Sequence, residues 1–241
     1  MTLSAEWREF SRWAEQLGAP LTAHQLTQFA QYQLLLLTWN ERMNLTAVRQ
    51  PAEIRVRHFL DSLSCARVMG DLNGRTLIDV GTGAGFPGLP LKILFPQLKL
   101  TLVESVAKKG QFLQAVIEAL ALDNVTVLTE RAERLGQSPQ HRQQYDWAVA
   151  RAVAELRVLV EYLLPLCRVG GKMLAQKGEG VHEEIENAVG AIKLLGGAMP
   201  ELGQVTLPNR EQLHYFVVVN KLSETPAKYP RRVGVPGKRP L

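Results

Sequence analysis

Two cysteines in 241 residues exclude a disulfide-stapled scaffold and a Cys-based zinc finger. Long apolar runs are missing. The longest purely aliphatic stretch of the N-terminal region is Leu34 to Leu37, against the ~20 residues a membrane-spanning helix needs. The start of the chain, with Ser4, Glu6, Trp7, Arg8 and Glu9, has no apolar core of a signal peptide. Internal repeats and low-complexity segments are absent. The expectation is a soluble, cytoplasmic protein with no metal and no membrane partner. A chain with 46% apolar and 21% charged residues has an ordinary globular composition. At this length it buries roughly 70% of the surface its unfolded form exposes.

Net charge is concentrated. The chain carries +5 in total. Residues 221–241 hold Lys221, Lys228, Arg231, Arg232, Lys238 and Arg239 against Glu224 alone, so the whole excess lies in this tail. A concentrated basic segment suits a polyanionic partner; a merely solubilising tail is the plain alternative.

Residues 1–72 read as a helical extension. Leu26, Phe29, Ala30, Leu36 and Leu37 follow helical spacing behind Thr22 as N-cap, and a further helix runs from Pro51 through Leu63. Trp7, Trp13 and Trp39 belong to its packing. The rhythm then changes. Short apolar runs begin at Thr76, Lys99, Asn124, Asp146, Lys172 and His214, with helical segments over 107–121, 155–166 and 181–195. Strands alternating with helices predict a parallel sheet covered on both faces. A strand near Val205 to Pro208 would pair with the last one as a hairpin and make the last strand antiparallel. The boundaries are 1–72 for the extension, 73–222 for an α/β Rossmann-like domain and 223–241 for the tail. Pro226, Pro230, Pro236 and Pro240 argue against helix in the tail, leaving open an ordering that waits for its partner.

The first strand ends in Asp79-Val-Gly81-Thr-Gly83-Ala-Gly85-Phe86-Pro-Gly88. Successive glycines turn the chain tightly and bring bare backbone to a ligand. Gly83 to Gly88 satisfies the GxGxxG fingerprint of dinucleotide folds, but the glycine that directly follows the strand is Gly81, which puts that fingerprint out of register. Asp79-x-Gly-x-Gly-x-Gly is instead the pattern of S-adenosylmethionine (AdoMet) methyltransferases, in which a carboxylate attracts the ligand's ammonium. Glu104, ending the second strand, suits the ribose hydroxyls of either cofactor. Ala132 and Glu133 follow the third strand, where the adenine lies in this fold. Arg151 ends the fourth strand and faces the expected cleft; it suits the AdoMet carboxylate, a phosphate or guanine O6, with a surface ion pair as the alternative. Lys177 ends the fifth strand in a similar position.

An Asn/Asp-Pro-Pro-aromatic turn for exocyclic amines is absent after the fourth strand, which reads Val149-Ala-Arg-Ala-Val153. Neither Cys65 nor Cys167 stands at a strand end suited to a nucleophile for pyrimidine C5. A ring nitrogen such as guanine N7 needs only positioning.

Taken together, these motifs closely resemble the ribosomal RNA small subunit methyltransferase G family (glucose-inhibited division protein B). The resemblance runs through Asn44-Leu-Thr46, Arg57-His58 with Asp61-Ser62, the loop Asp79 to Pro90, Val149 to Ala152, Gln176-Lys-Gly178 and the tail from Lys228 to Leu241. It implies a class I methyltransferase fold with a seven-stranded, mostly parallel sheet, acting as a monomer. It implies methyl transfer from AdoMet, leaving S-adenosylhomocysteine (SAH), to N7 of one guanosine in the decoding-region loop of 16S rRNA. The cofactor contacts it implies fall on Gly81, Phe86, Ala132, Glu133 and Arg151; Phe86 stands where many members carry leucine. Asn44, Thr46, His58, Asp61 and Ser62 acquire a role facing RNA or cofactor, or form a structural network in which His58 bonds Asp61. Lys228, Arg231 and Arg232 read as rRNA contacts. Rivals are a methyltransferase of another substrate, an NAD(P) oxidoreductase and a non-catalytic RNA-binding module.

Overall fold

The computed structural model describes residues 4–241 except 209 and 211. The helical extension holds α1 (Ala5–Gln16), α2 (Ala23–Asn40), α3 (Pro51–Ile54), a π-helical turn (Arg55–Leu60), α4 (Asp61–Leu63) and α5 (Ala66–Met69). The cap of α2 is the one expected: Thr22 Oγ1 accepts from Gln25 N at 3.3 Å and Gln25 Oε1 from Thr22 N at 2.8 Å, a reciprocal capping box.

The sheet follows: β1 (Thr76–Val80), α6 (Gly88–Leu94), β2 (Lys99–Val103), α7 (Ala107–Ala119), β3 (Val125–Leu128), α8 (Ala132–Gln137), β4 (Tyr145–Arg151), α9 (Leu156–Leu163), β5 (Cys167–Lys177), α10 (Val181–Leu194), β6 (Glu201–Thr206) and β7 (Leu213–Asn220), with a last short helix α11 (Val235–Lys238). The seven strands lie in the order β3-β2-β1-β4-β5-β7-β6. Strands β1 to β5 are mutually parallel, and β7 inserts antiparallel between β5 and β6. The hairpin expected at Val205 is present, and the final strand is the antiparallel one.

Between β1 and β4 the strand order reverses. In open α/β sheets the crevice beyond the carboxyl ends of the strands at this switch point takes the ligand.

Two apolar cores cover the two faces. On one, Phe10, Phe29, Tyr32 and Phe59 of the extension pack in a single cluster with Leu77, Leu100, Phe112, Leu174 and Phe216. The other joins α8, α9 and α10 to the sheet. Cys65 and Cys167 are both fully buried, and burial pushes the Cys167 thiol up to about 12. Cys167 opens β5, at the opposite edge from the crevice.

The tail departs from expectation. It is laid along α8 and α9, and its end, Val235–Lys238, is helical despite Pro236. A proline in the first turn of a helix loses no intrahelical bond, which is why proline content misjudged it. Arg142 Nη atoms donate to the carbonyls of Thr225 (2.6 Å) and Tyr229 (2.7 Å). Arg231 is bound three times over to the Glu161 carboxylate, whose side chain is wholly buried.

Candidate active site

Asp79 ends its strand beneath the glycine loop and is fully buried. Its Oδ2 accepts from Thr82 Oγ1 (2.7 Å) and Gly88 N (2.8 Å), while Oδ1 has no partner. Burial, against the pull of the Thr82 and Gly88 bonds and of Arg151, raises its carboxyl to about 6. A buried acceptor left unpaired costs on the order of 1–3 kcal/mol, so this atom marks where a donor belongs.

The loop above it needs glycine. Gly81, Gly83 and Gly85 have φ of 69°, 60° and 99°, a region that L side chains disfavour. A Cβ on Gly81 would lie 2.7 Å from Val153 Cγ2, and one on Gly85 2.6 Å from the Tyr32 hydroxyl. A Cβ on Gly83 would meet nothing within 4 Å, so there the backbone is bare. Glu104 is buried at the end of β2, its two oxygens accepting from Gly83 N (3.1 Å) and Val106 N (2.9 Å). An unpartnered carboxylate oxygen, a bare loop and an acid one strand away fit an amino-acid ammonium at one end and a ribose at the other.

Arg151 closes β4 on the far side of the switch point. Its Nη1 donates to Asp61 Oδ2 at 2.7 Å, and its guanidinium lies 5.0 Å from the Phe86 ring centre. His58 stacks on the same ring, 4.7 Å between centres. The Phe86 side chain is thus packed against both Arg151 and His58. Thr46 Oγ1 lies 2.7 Å from His58 Nε2. Burial and the nearby Arg151 cation lower His58 to about 4, so the ring is neutral at ordinary pH.

The His58–Asp61 bond, one of the two alternatives left open, is not formed; the histidine at Asp61 is His214, its Nδ1 2.8 Å from Oδ1. A π turn over Arg55–Leu60 shifts the phase that straight-helix spacing assumes. Ser62 Oγ instead donates to the His58 carbonyl at 2.6 Å. Burial pushes Asp61 upward, but His214 and Arg151 outweigh it and hold the carboxyl below its usual value.

Asp61, His58, Arg151, Lys177 and His214 line one open cleft of about 670 Å³. Lys177 Nζ is held by the Ala154 carbonyl (2.9 Å) and Glu184 Oε2 (2.6 Å). Asn44 is exposed on the turn leading to Thr46. Ala132 and Glu133 are buried at the start of α8, and Glu133 Oε1 accepts from Gly234 N of the tail at 2.8 Å. Of the three tail residues singled out by sequence, Lys228 and Arg232 are exposed, whereas Arg231 is engaged with Glu161.

Sequence reasoning missed His214, Tyr32 and Glu161. Tyr32, on α2, hydrogen-bonds the Ala84 carbonyl inside the glycine loop. None of the three lies in a local motif; each is brought in by tertiary packing. Among the described residues, no cluster of three His, Cys, Asp or Glu is placed to hold a metal ion, and no helix is long and apolar enough to cross a membrane.

Strand order, glycine loop and flanking acids define a class I methyltransferase. Solved structures of this fold include a SAM-dependent O-methyltransferase from Thermotoga maritima (TM-score 0.54, 14% identity, covering 79% of this chain and 72% of that one). A precorrin-6y methyltransferase from Geobacter metallireducens is similar (TM-score 0.51, 12% identity, covering 67% and 87%). Sequence takes the assignment further. The family pattern of rRNA small subunit methyltransferase G (GidB) matches residues 25–211, and the chain belongs to this family. Relatives of that name from Roseiflexus castenholzii and Alkaliphilus metalliredigens are 54% and 49% identical, over 97% and 94% of this chain and 99% and 95% of theirs.

Proposed function

We propose that the protein transfers a methyl group from AdoMet to N7 of a guanosine in the decoding-region loop of 16S rRNA, on the small ribosomal subunit. AdoMet supplies an electrophilic methyl on a sulfonium. Asp79 Oδ1 holds the ammonium; the backbone of Gly81, Gly83 and Gly85 and the Phe86 ring bound its amino-acid end. Glu104 takes the ribose, and Ala132 and Glu133 the adenine. Arg151 places the target base, braced by Asp61 and His214. The rim of Thr46, His58, Ser62 and Lys177 with nearby Asn44 takes the flanking RNA, and Lys228 and Arg232 extend the basic surface.

One observation carries the choice of N7. The carboxylates lining the cleft are committed: Asp61 to Arg151 and His214, Glu184 to Lys177 and the Leu156 amide. With His58 neutral and below its usual range, the cleft is built for positioning rather than for taking a proton. N7 brings its own lone pair and loses no proton on methylation. The test is transfer of labelled methyl to small-subunit particles lacking the modification, followed by nucleoside analysis. Label in 7-methylguanosine supports the reading; label in another nucleoside overturns it.

A further inference from the structure

The tail reaches further than a basic flap would. From β7, which ends on the edge opposite the cleft, it climbs the outer face of α8 and α9 and arrives at the cleft edge beside Glu133. Its anchors converge on those two helices. Gln137 Nε2 donates to the Pro230 carbonyl at 2.7 Å. Gly136 packs so closely on Pro230 that a Cβ there would lie 2.6 Å from its ring. Arg231 is locked to the buried Glu161 of α9. The last anchor is Gly234, with φ of 80°, whose amide donates to Glu133 Oε1 at 2.8 Å.

The Glu133 side chain is thus buried and tied to the tail, while its peptide starts α8 directly after β3. We infer that the docked tail is a positioning strap for the adenosine end of the cofactor pocket, with Arg231 as its buckle and Gly234 as the group that fixes Glu133. This rests on the reading of Ala132 and Glu133 as that end. The strap's anchors are other residues than the exposed Lys228 and Arg232, which line the surface groove beside Glu133 and Gln137. It predicts that loosening the tail weakens the cofactor even with no RNA present.

The test uses the full-length chain. Gly136→Val drives a side chain into Pro230 without creating a buried charge. The paired change Glu161→Met with Arg231→Met opens the buckle and likewise orphans no ion; losing Arg231 alone would strand a buried carboxylate. Calorimetric binding of SAH and of 5′-methylthioadenosine, and hydrogen exchange over residues 130–138, are read side by side. Both variants are expected to lose about five- to tenfold in affinity for each ligand, the lower range of coupling between linked sites. The loss is equal for the two because they share the adenosine. Exchange at 130–138 rises with it, and for Gly136→Val the KM for AdoMet rises while kcat at saturation holds. Unchanged affinity in both variants, or a loss confined to SAH, overturns the strap. If the unaltered chain binds neither ligand, it is the AdoMet reading that has failed.

Discussion

At the scale of single residues, the site contains two titrating groups of opposite sign. Asp79 is raised to about 6 in the folded chain by burial, so the folded state favours its neutral form. Its stabilising contribution is full below the ordinary carboxylate value and is lost as pH rises through 6. Asp79→Asn is therefore expected to raise stability at pH 7.5 by about 1–3 kcal/mol while weakening SAH binding. A melting curve and a titration on the same sample check both; a variant that binds SAH normally removes Asp79 from the cofactor site. His58 runs the other way. Its folded value of about 4 means that the unfolded chain takes up the proton first. Stability present above pH 6.5 is lost as pH falls toward 4, by about 2–3 kcal/mol at most. Melting temperature against pH for His58→Gln should show a flatter acid limb than the parent. Arg151→Lys keeps a charge but loses the planar guanidinium whose Nη1 holds Asp61 Oδ2 and which packs on Phe86. Its kcat/KM should fall about a hundredfold, as expected for a misplaced reacting group; near-parental turnover would deny Arg151 a positioning role.

At the scale of elements, much of the candidate site was legible because its residues fall at the ends of strands. Asp79, the glycines, Glu104 and Arg151 each sit at a strand end, and strand ends announce themselves through apolar runs broken by glycine or charge. His214 was legible as the beginning of a strand but not as a site residue. It lies at the start of β7 and reaches Asp61 only because β7 inserts beside β5. The π turn at Arg55–Leu60 was equally silent, since spacing arguments assume a constant 3.6-residue period. Helix α2 makes the same point in the other direction. Its apolar pattern showed a core helix but not that Tyr32 would cross to the glycine loop. Tyr32→Phe removes the bond to the Ala84 carbonyl and should cost about 1 kcal/mol of cofactor binding, a severalfold rise in the KM for AdoMet. An unchanged KM would mean that the loop holds its shape without α2.

At the scale of the whole molecule, charge and anchoring are divided within the tail. Lys221 is buried, its Nζ donating to the carbonyls of Leu164 and Leu195, and Arg231 is paired. That leaves Lys228, Arg232, Lys238 and Arg239 exposed as the cations available to phosphate. Replacing Arg232, Lys238 and Arg239 by alanine should lower the slope of log affinity for small-subunit particles against log salt by about 2–3, with SAH binding unaltered. A slope equal to the parent's would exclude the tail from the RNA interface. Composition displayed the tail's charge but could not display its docking, because the partners Glu161, Gln137 and Glu133 are ordinary helix residues until the chain folds back on them. The extension is likewise joined to the sheet: Phe10, Phe29, Tyr32 and Phe59 share one core with Leu77 and Phe112.

The order in which the chain is made gives this arrangement a further meaning. Gly234 follows every strand in the chain, and its amide reaches back past β7 to a helix residue 101 positions earlier. Until Gly234 has emerged from the ribosome, Glu133 lacks the amide that holds it. The Glu133 carboxylate gains this partner only after the strands of the sheet have already been made.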